Sequence, residues 1–136
     1  MASDISQSLR DFVKQRANDR CEYCLIPDVA ALHPHEIEQI LPRKHSGESI
    51  SENLAWGCWR CNRHKGTDFG SIDSETGSVT LFFNPRTQIW IEHFSLDGTT
   101  IRPLTAEARV TLRIFRLNDA QRIEEQRELT EANLYP

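Results

Sequence analysis

The sequence predicts an α+β chain, and three features carry that prediction. Ile5, Leu9, Phe12, Val13 and Ala17 recur at helical spacing near the start. Two Cys-x-x-Cys pairs, Cys21/Cys24 and Cys58/Cys61, bracket HEIEQI, a stretch that alternates in the way of a short strand. In the second half, strand-like runs separated by turn signals are followed by two helical runs.

Taken in order, residues 4 to 17 read as an amphipathic helix with Ser3 or Asp4 as N-cap, leading directly into CEYC. LIPDVAALHP is a loop, and HEIEQI is a strand ended by Pro42. PRKHSGESIS is a second loop, and NLAWGCW suits a strand returning beside the first. CNRHKG then begins a short helix that Gly66 stops. VTLFF, QIWIEHF and TIRPL, separated by NPRT and LDGT, are expected to form an antiparallel meander. Thr105 can cap a helix through about Leu117, and Asn118 with Gln121 resembles a capping box opening a last helix. There is no internal repeat, low-complexity tract or flexible linker, so residues 1–68 and 69–136 are expected to pack together.

A chain of 136 residues suits one domain, or a small domain with an extension, and buries only a modest core. The net charge of −4 argues against coating by polyanions over the whole surface, but WRCNRHKG gathers Arg60, Arg63 and Lys65 with no acid. Phosphate contacts are therefore expected near residue 60. MASDISQSL lacks the basic start and apolar run of a secretory signal, and no apolar run approaches the roughly 18 residues of a membrane span. A cytoplasmic location without membrane contact is expected, and in a reducing cytosol the four cysteines read as thiols or metal ligands rather than bridges.

A two-residue gap lets both sulfurs of a pair turn toward one ion, and two pairs complete a tetrahedral four-cysteine site for zinc. With every position filled by thiolate, such a zinc is structural. A redox pair and unpaired core cysteines are the competing readings; two pairs together favour metal. The long insert between the pairs holds HEIEQILPRKH and Asn53.

CEYC, HEIEQILPRKHSG and ENLAWGCWRCNRHKG together resemble an HNH endonuclease of the zinc-stapled type, and the remainder is similar to the C-terminal extension of a bacterial subgroup of small HNH proteins. The resemblance implies a ββα-metal core with an N-terminal helix before it and the meander and helices after it. It implies a catalytic divalent ion separate from the zinc, Mg²⁺ or Mn²⁺ or another, held by Glu38 and Asn62. It places Asn53 as the residue that fixes the loop, and Lys65 with Arg60 or Arg63 near phosphate. At the position of the histidine that deprotonates the attacking water stands Gln39.

Those residue types match the chemistry. A hard divalent ion takes oxygen ligands and stabilises charge at the leaving oxygen, and a neutral imidazole accepts a proton near neutral pH, which a glutamine amide does not. Losing the base impairs such a reaction by about 10² to 10⁴ without erasing it. His45, in the loop after the strand, is the first candidate to replace it, ahead of His64 and of His35, which lies about 13 Å from Gln39 along a strand. The resemblance thus implies a DNA endonuclease without a small-molecule cofactor. A nucleic-acid-binding module that keeps the fold without cutting is the alternative, and a protein-interaction domain working through the meander is a third.

Overall fold

The computed structural model describes residues 5–136. The expected caps Ser3 and Asp4 lie outside the described residues; the cap observed is Ser6, whose side chain accepts from Leu9 N at 3.2 Å and opens α1 (Gln7–Arg16). Lys14 and Arg16 complement the dipole of its last turn. Val13 is buried against Leu54 and Trp56, with Leu9, Ala17 and Ile37 around them, whereas Phe12 faces outward under the Arg16 guanidinium.

The chain then makes the Cys21–Cys24 turn and reaches β1 (Glu36–Gln39), which pairs antiparallel with β2 (Leu54–Gly57) in the register Glu36 to Gly57 and Glu38 to Ala55. Cys58 caps α2 (Trp59–Lys65) through its sulfur, which accepts from Cys61 N, and Gly66 closes it at φ 53° and ψ −131°. That conformation suits a residue without Cβ. Two strands and a helix therefore follow one another as expected, with the two cysteine pairs beside them.

The second half departs from a single meander. β3 (Gly70–Ile72) pairs with β4 (Val79–Leu81), and β5 (Phe94–Asp97) pairs separately with β6 (Thr100–Pro103). VTLFF leaves the strand after Leu81 because Phe82 and Phe83 both turn into the core. QIWIEHF is not a strand up to Phe94; Trp90–His93 makes one helical turn, α3. The cause is upstream: Asn84 Oδ1 accepts from Arg86 N, Gln88 Oε1 accepts from Asn84 N, and Trp90 Nε1 donates to Tyr23 O at 2.9 Å. These bonds curl the segment and spend its ring on the cysteine turn.

Thr105 caps α4 (Ala106–Phe115) as expected, by accepting from Ala108 N, and Arg116 ends it in the left-handed region. The capping box at Asn118 does not form. Asp119 precedes α5 (Ala120–Glu131), while the Asn118 amide bonds both Ile101 N and Ile101 O and so pins β6. One apolar cluster holds Tyr23, Ala55 and Cys58 of the first half with Phe82, Phe83, Phe94, Ile101, Phe115 and Leu117 of the second. No helix among the described residues is long and apolar enough to cross a membrane.

Candidate active site and metal centre

The Cys21, Cys24, Cys58 and Cys61 sulfurs are buried and lie within 4.8 Å of one another, with Cys24 Sγ 3.6 Å from Cys58 Sγ. Local backbone geometry builds this cluster. Tyr23 N and Cys24 N both turn toward Cys21 Sγ, and Cys61 N toward Cys58 Sγ, so each two-residue gap folds its own amides onto its first sulfur. A tetrahedral ion with bonds of about 2.3 Å needs ligand sulfurs about 3.8 Å apart, and the cluster can hold zinc in that way.

The thiols of the cluster differ in how readily they ionise. Burial pushes the Cys21 thiol up, and it pushes Cys61 up likewise. Burial opposes ionisation of Cys24 too, but hydrogen bonds from Cys21, Cys58 and Cys61 and the nearby Arg122 charge outweigh it and bring Cys24 well below the thiol range. Arg122, on α5, donates to Cys61 Sγ at 3.1 Å and approaches Cys58 Sγ at 3.8 Å. Burial works against its charge, yet the sulfurs hold it above its ordinary value. Tyr135 closes the other side by donating to Cys24 O at 2.8 Å.

Glu38 and Asn62 converge over Gly57. A Cβ at Gly57 would lie 3.4 Å from Asn62 Oδ1 and 3.7 Å from Glu38 Cγ, so both side chains approach the bare backbone at this point. Asn62 Nδ2 donates to Glu36 Oε2 at 3.0 Å. Because a carboxylate only accepts, this bond turns the amide nitrogen to Glu36 and leaves Oδ1 toward Gly57. Glu38, Gln39 and Asn62 line one cleft of about 530 Å³, together with Arg43, Lys44, Gly66 and Thr67. The mostly buried Glu38 and the Asn62 carbonyl both border this cleft, and a carboxylate and a carbonyl oxygen are donors of the kind a hard divalent ion takes.

Asn53 ties the loop between β1 and β2. Its Oδ1 accepts from Leu41 N at 2.8 Å, and its Nδ2 donates to Leu41 O and Glu48 O at 3.0 and 2.9 Å. Gly47 permits the closure, since a Cβ there would fall 1.6 Å from Leu41 O. Gln39 Nε2 donates to Ser49 Oγ at 2.9 Å, which binds the amide to that loop.

The histidines do not gather at the cleft. His35 is buried with Nε2 against Ile26 O at 2.8 Å, and His45 packs edge-on to Phe69. Burial, then the Arg122 and Arg116 charges, push the His64 imidazole below its usual range, so its electrostatic neighbours are on the α4–α5 side.

The residues expected near phosphate each have a partner within the protein. Lys65 is 3 % exposed; its Nζ lies 3.1 Å from Glu38 Oε2 and donates to Gln39 O at 2.9 Å, which removes it from any phosphate at the surface. Arg60 makes a two-point pair with Glu125 at 2.7 Å. Arg63 lies over the Trp59 ring at 4.5 Å, and His33 stacks on the same ring. The basic residues that line the cleft are Arg43 and Lys44, from the loop after Pro42.

Three contributors have weak sequence signals or none. Glu36 is two residues before Glu38 on one strand, so the period of two places both on one face. Tyr23, inside CEYC, donates its hydroxyl to Glu38 Oε1, and burial followed by the Glu38 charge keeps it protonated. Arg122 lies 61 residues from Cys61 in a mixed-charge helix, and nothing local marks it.

No curated protein and no solved structure matches the chain. The model of the HNH endonuclease family matches residues 21–68, a span that begins at the first zinc-type cysteine and ends just beyond α2. This segment, which holds the four-cysteine cluster and the β1–β2–α2 cleft, is similar to the HNH endonuclease family.

Proposed function

We propose that this protein is a metal-dependent endonuclease that hydrolyses phosphodiester bonds in DNA, with water activation weakened by Gln39. The observation that carries the reading is the convergence of Glu38 and Asn62 over Gly57 in a cleft rimmed by Arg43 and Lys44. In this reading residues 1–68 hold the site and 69–136 form an extension that supports it, in a cytoplasmic protein.

Glu38 and the Asn62 carbonyl hold a divalent ion, Mg²⁺ or Mn²⁺, which when bound supplies Lewis-acid stabilisation of charge on the phosphate. Glu36 keeps the Asn62 carbonyl turned inward. Asn53 holds the loop that carries Arg43 and Lys44, and these two side chains, with Arg63, position the phosphate backbone. Cys21, Cys24, Cys58 and Cys61 bind a zinc ion that frames β2 and α2. Gln39 donates to Ser49 and cannot accept a proton from water. His45, packed on Phe69, is the residue that would have to swing to the cleft to act instead.

A second reading, a DNA-binding module that has stopped cutting, is favoured by Gln39 itself and by the Lys65 ammonium on Glu38. Supercoiled plasmid with Mg²⁺, Mn²⁺ or Ni²⁺ separates the two. Slow nicking by the native protein, faster nicking by Gln39→His and none by Glu38→Ala support the nuclease. Salt-sensitive binding without nicking in either native or Gln39→His protein supports the module.

A further inference from the structure

Lys65 ends α2, where a lysine ordinarily extends its ammonium into water. Here the ammonium turns inward, 3.1 Å from Glu38 Oε2 and 2.9 Å from the Gln39 carbonyl that it donates to. The other Glu38 oxygen accepts from the Tyr23 hydroxyl, which is itself buried. Both oxygens of the candidate ligand thus already have a protein donor. Each keeps one further lone pair, so an ion can still approach, but it approaches a carboxylate whose charge is cancelled.

Counting charge sharpens the point. Glu38 brings −1 and Lys65 +1, so this buried pair is neutral, while Glu36 behind the Asn62 amide adds −1 and Arg43 and Lys44 on the rim add +2. Hard divalent ions are held by ligand charge, and Mg²⁺ commonly completes its shell with substrate phosphates rather than with protein groups alone.

We infer that Lys65 is the resident counter-ion of Glu38: in the free protein it occupies the charge that a divalent ion needs, so the ion binds weakly until a phosphodiester in the cleft adds negative charge. Ion and nucleic acid then bind cooperatively, each raising the affinity of the other by the same factor. The inference rests on the nuclease reading of Glu38 and Asn62. It gives Lys65 a regulatory part in metal binding instead of a phosphate contact.

The test is Mn²⁺ titration of the full chain purified with zinc, read from the electron paramagnetic resonance signal of free Mn²⁺. Native protein, Lys65→Met, Glu38→Ala and the double variant are compared, with and without a short duplex whose phosphates are phosphorothioates. Without duplex, Lys65→Met binds Mn²⁺ at least about tenfold tighter than native, because one unit of positive charge beside the ion has been removed. The duplex tightens Mn²⁺ binding to native protein by a larger factor than to Lys65→Met. If Lys65→Met loses its zinc or its fold, Lys65→Gln, which keeps a donor for the Gln39 carbonyl, carries the same expectation. Unchanged or weaker Mn²⁺ binding in the Lys65 variant, with Glu38→Ala still lowering the affinity of native protein, overturns the inference and leaves the nuclease reading in place. A gain that persists in the double variant shows that the ion is not on Glu38, and both fall.

Discussion

Arg122 Nη2 lies 3.1 Å from Cys61 Sγ, so the last helix supplies a buried cation to a cysteine cluster assembled by residues 21–61. Four thiolates on one zinc carry a net charge of −2, and a guanidinium in hydrogen-bond reach takes up half of it. The same side chain donates to Phe115 O at 2.8 Å, which fixes it between α4 and the cluster. Arg122→Met keeps most of the volume and removes the charge. Outer-shell partners of metal ligands are worth about 10- to 100-fold in metal affinity, and zinc release to a colorimetric chelator should accelerate by a factor in that range. Release at the native rate would show that the guanidinium only fills space.

Because one apolar cluster contains Cys21, Cys24, Cys58 and Cys61 together with Phe83, Phe94 and Phe115, metal removal should not loosen the first half alone. Structural zinc contributes to folding free energy directly. Stripping it is expected to lower the melting temperature by more than about 10 °C, with Trp59 and Trp90 fluorescence and far-ultraviolet circular dichroism changing together. Two resolved transitions would contradict a shared core.

The parts of this chain that were legible in its sequence are those where local spacing carries the information. The two Cys-x-x-Cys pairs, the alternation of HEIEQI and the α2 stop at Gly66 need only neighbours within a few residues. Where the reading failed, a distant partner decided. QIWIEHF has strand composition, but Trp90 is drawn to Tyr23 O, 67 residues away, and the segment turns helical. Asn118 has the form of a cap and is consumed by Ile101. Lys65 stands in a basic run, yet Glu38 on β1 captures it. Charge patterning along a chain locates positive residues; it does not say which of them remain available to a ligand.

The loop that carries Arg43 and Lys44 depends on one side chain and one missing side chain. Asn53→Ala deletes three hydrogen bonds to Leu41 and Glu48 and leaves part-buried backbone groups unpaired, which should cost about 1–3 kcal/mol. Gly47→Ala forces a methyl onto Leu41 O, and overpacking of that kind costs about 1–3 kcal/mol or more. Urea unfolding should place both variants below native protein, with Gly47→Ala the lower. Gly47→Ala at native stability would mean that the loop does not close on Leu41.

Acid should weaken the fold through Asp73, which is fully buried and held by Arg109 Nε and Nη2 at 2.9 Å each. The Arg109 hydrogen bonds, reinforced by the Thr76 bonds, hold the Asp73 carboxyl well below the carboxylate range against the opposing effect of desolvation. A depressed folded-state value means that the unfolded chain binds the proton more readily. The stabilisation is therefore complete above the unfolded value of about 3.9 and declines as pH falls from there through the folded value. Asp73→Asn removes the titration while keeping the shape. The difference in urea midpoint between native protein and Asp73→Asn should be constant from about pH 7 to pH 5, then shrink steadily below about pH 4. A difference that holds unchanged down to about pH 2.5 would show that the Asp73–Arg109 pair does not set the acid limit of the fold.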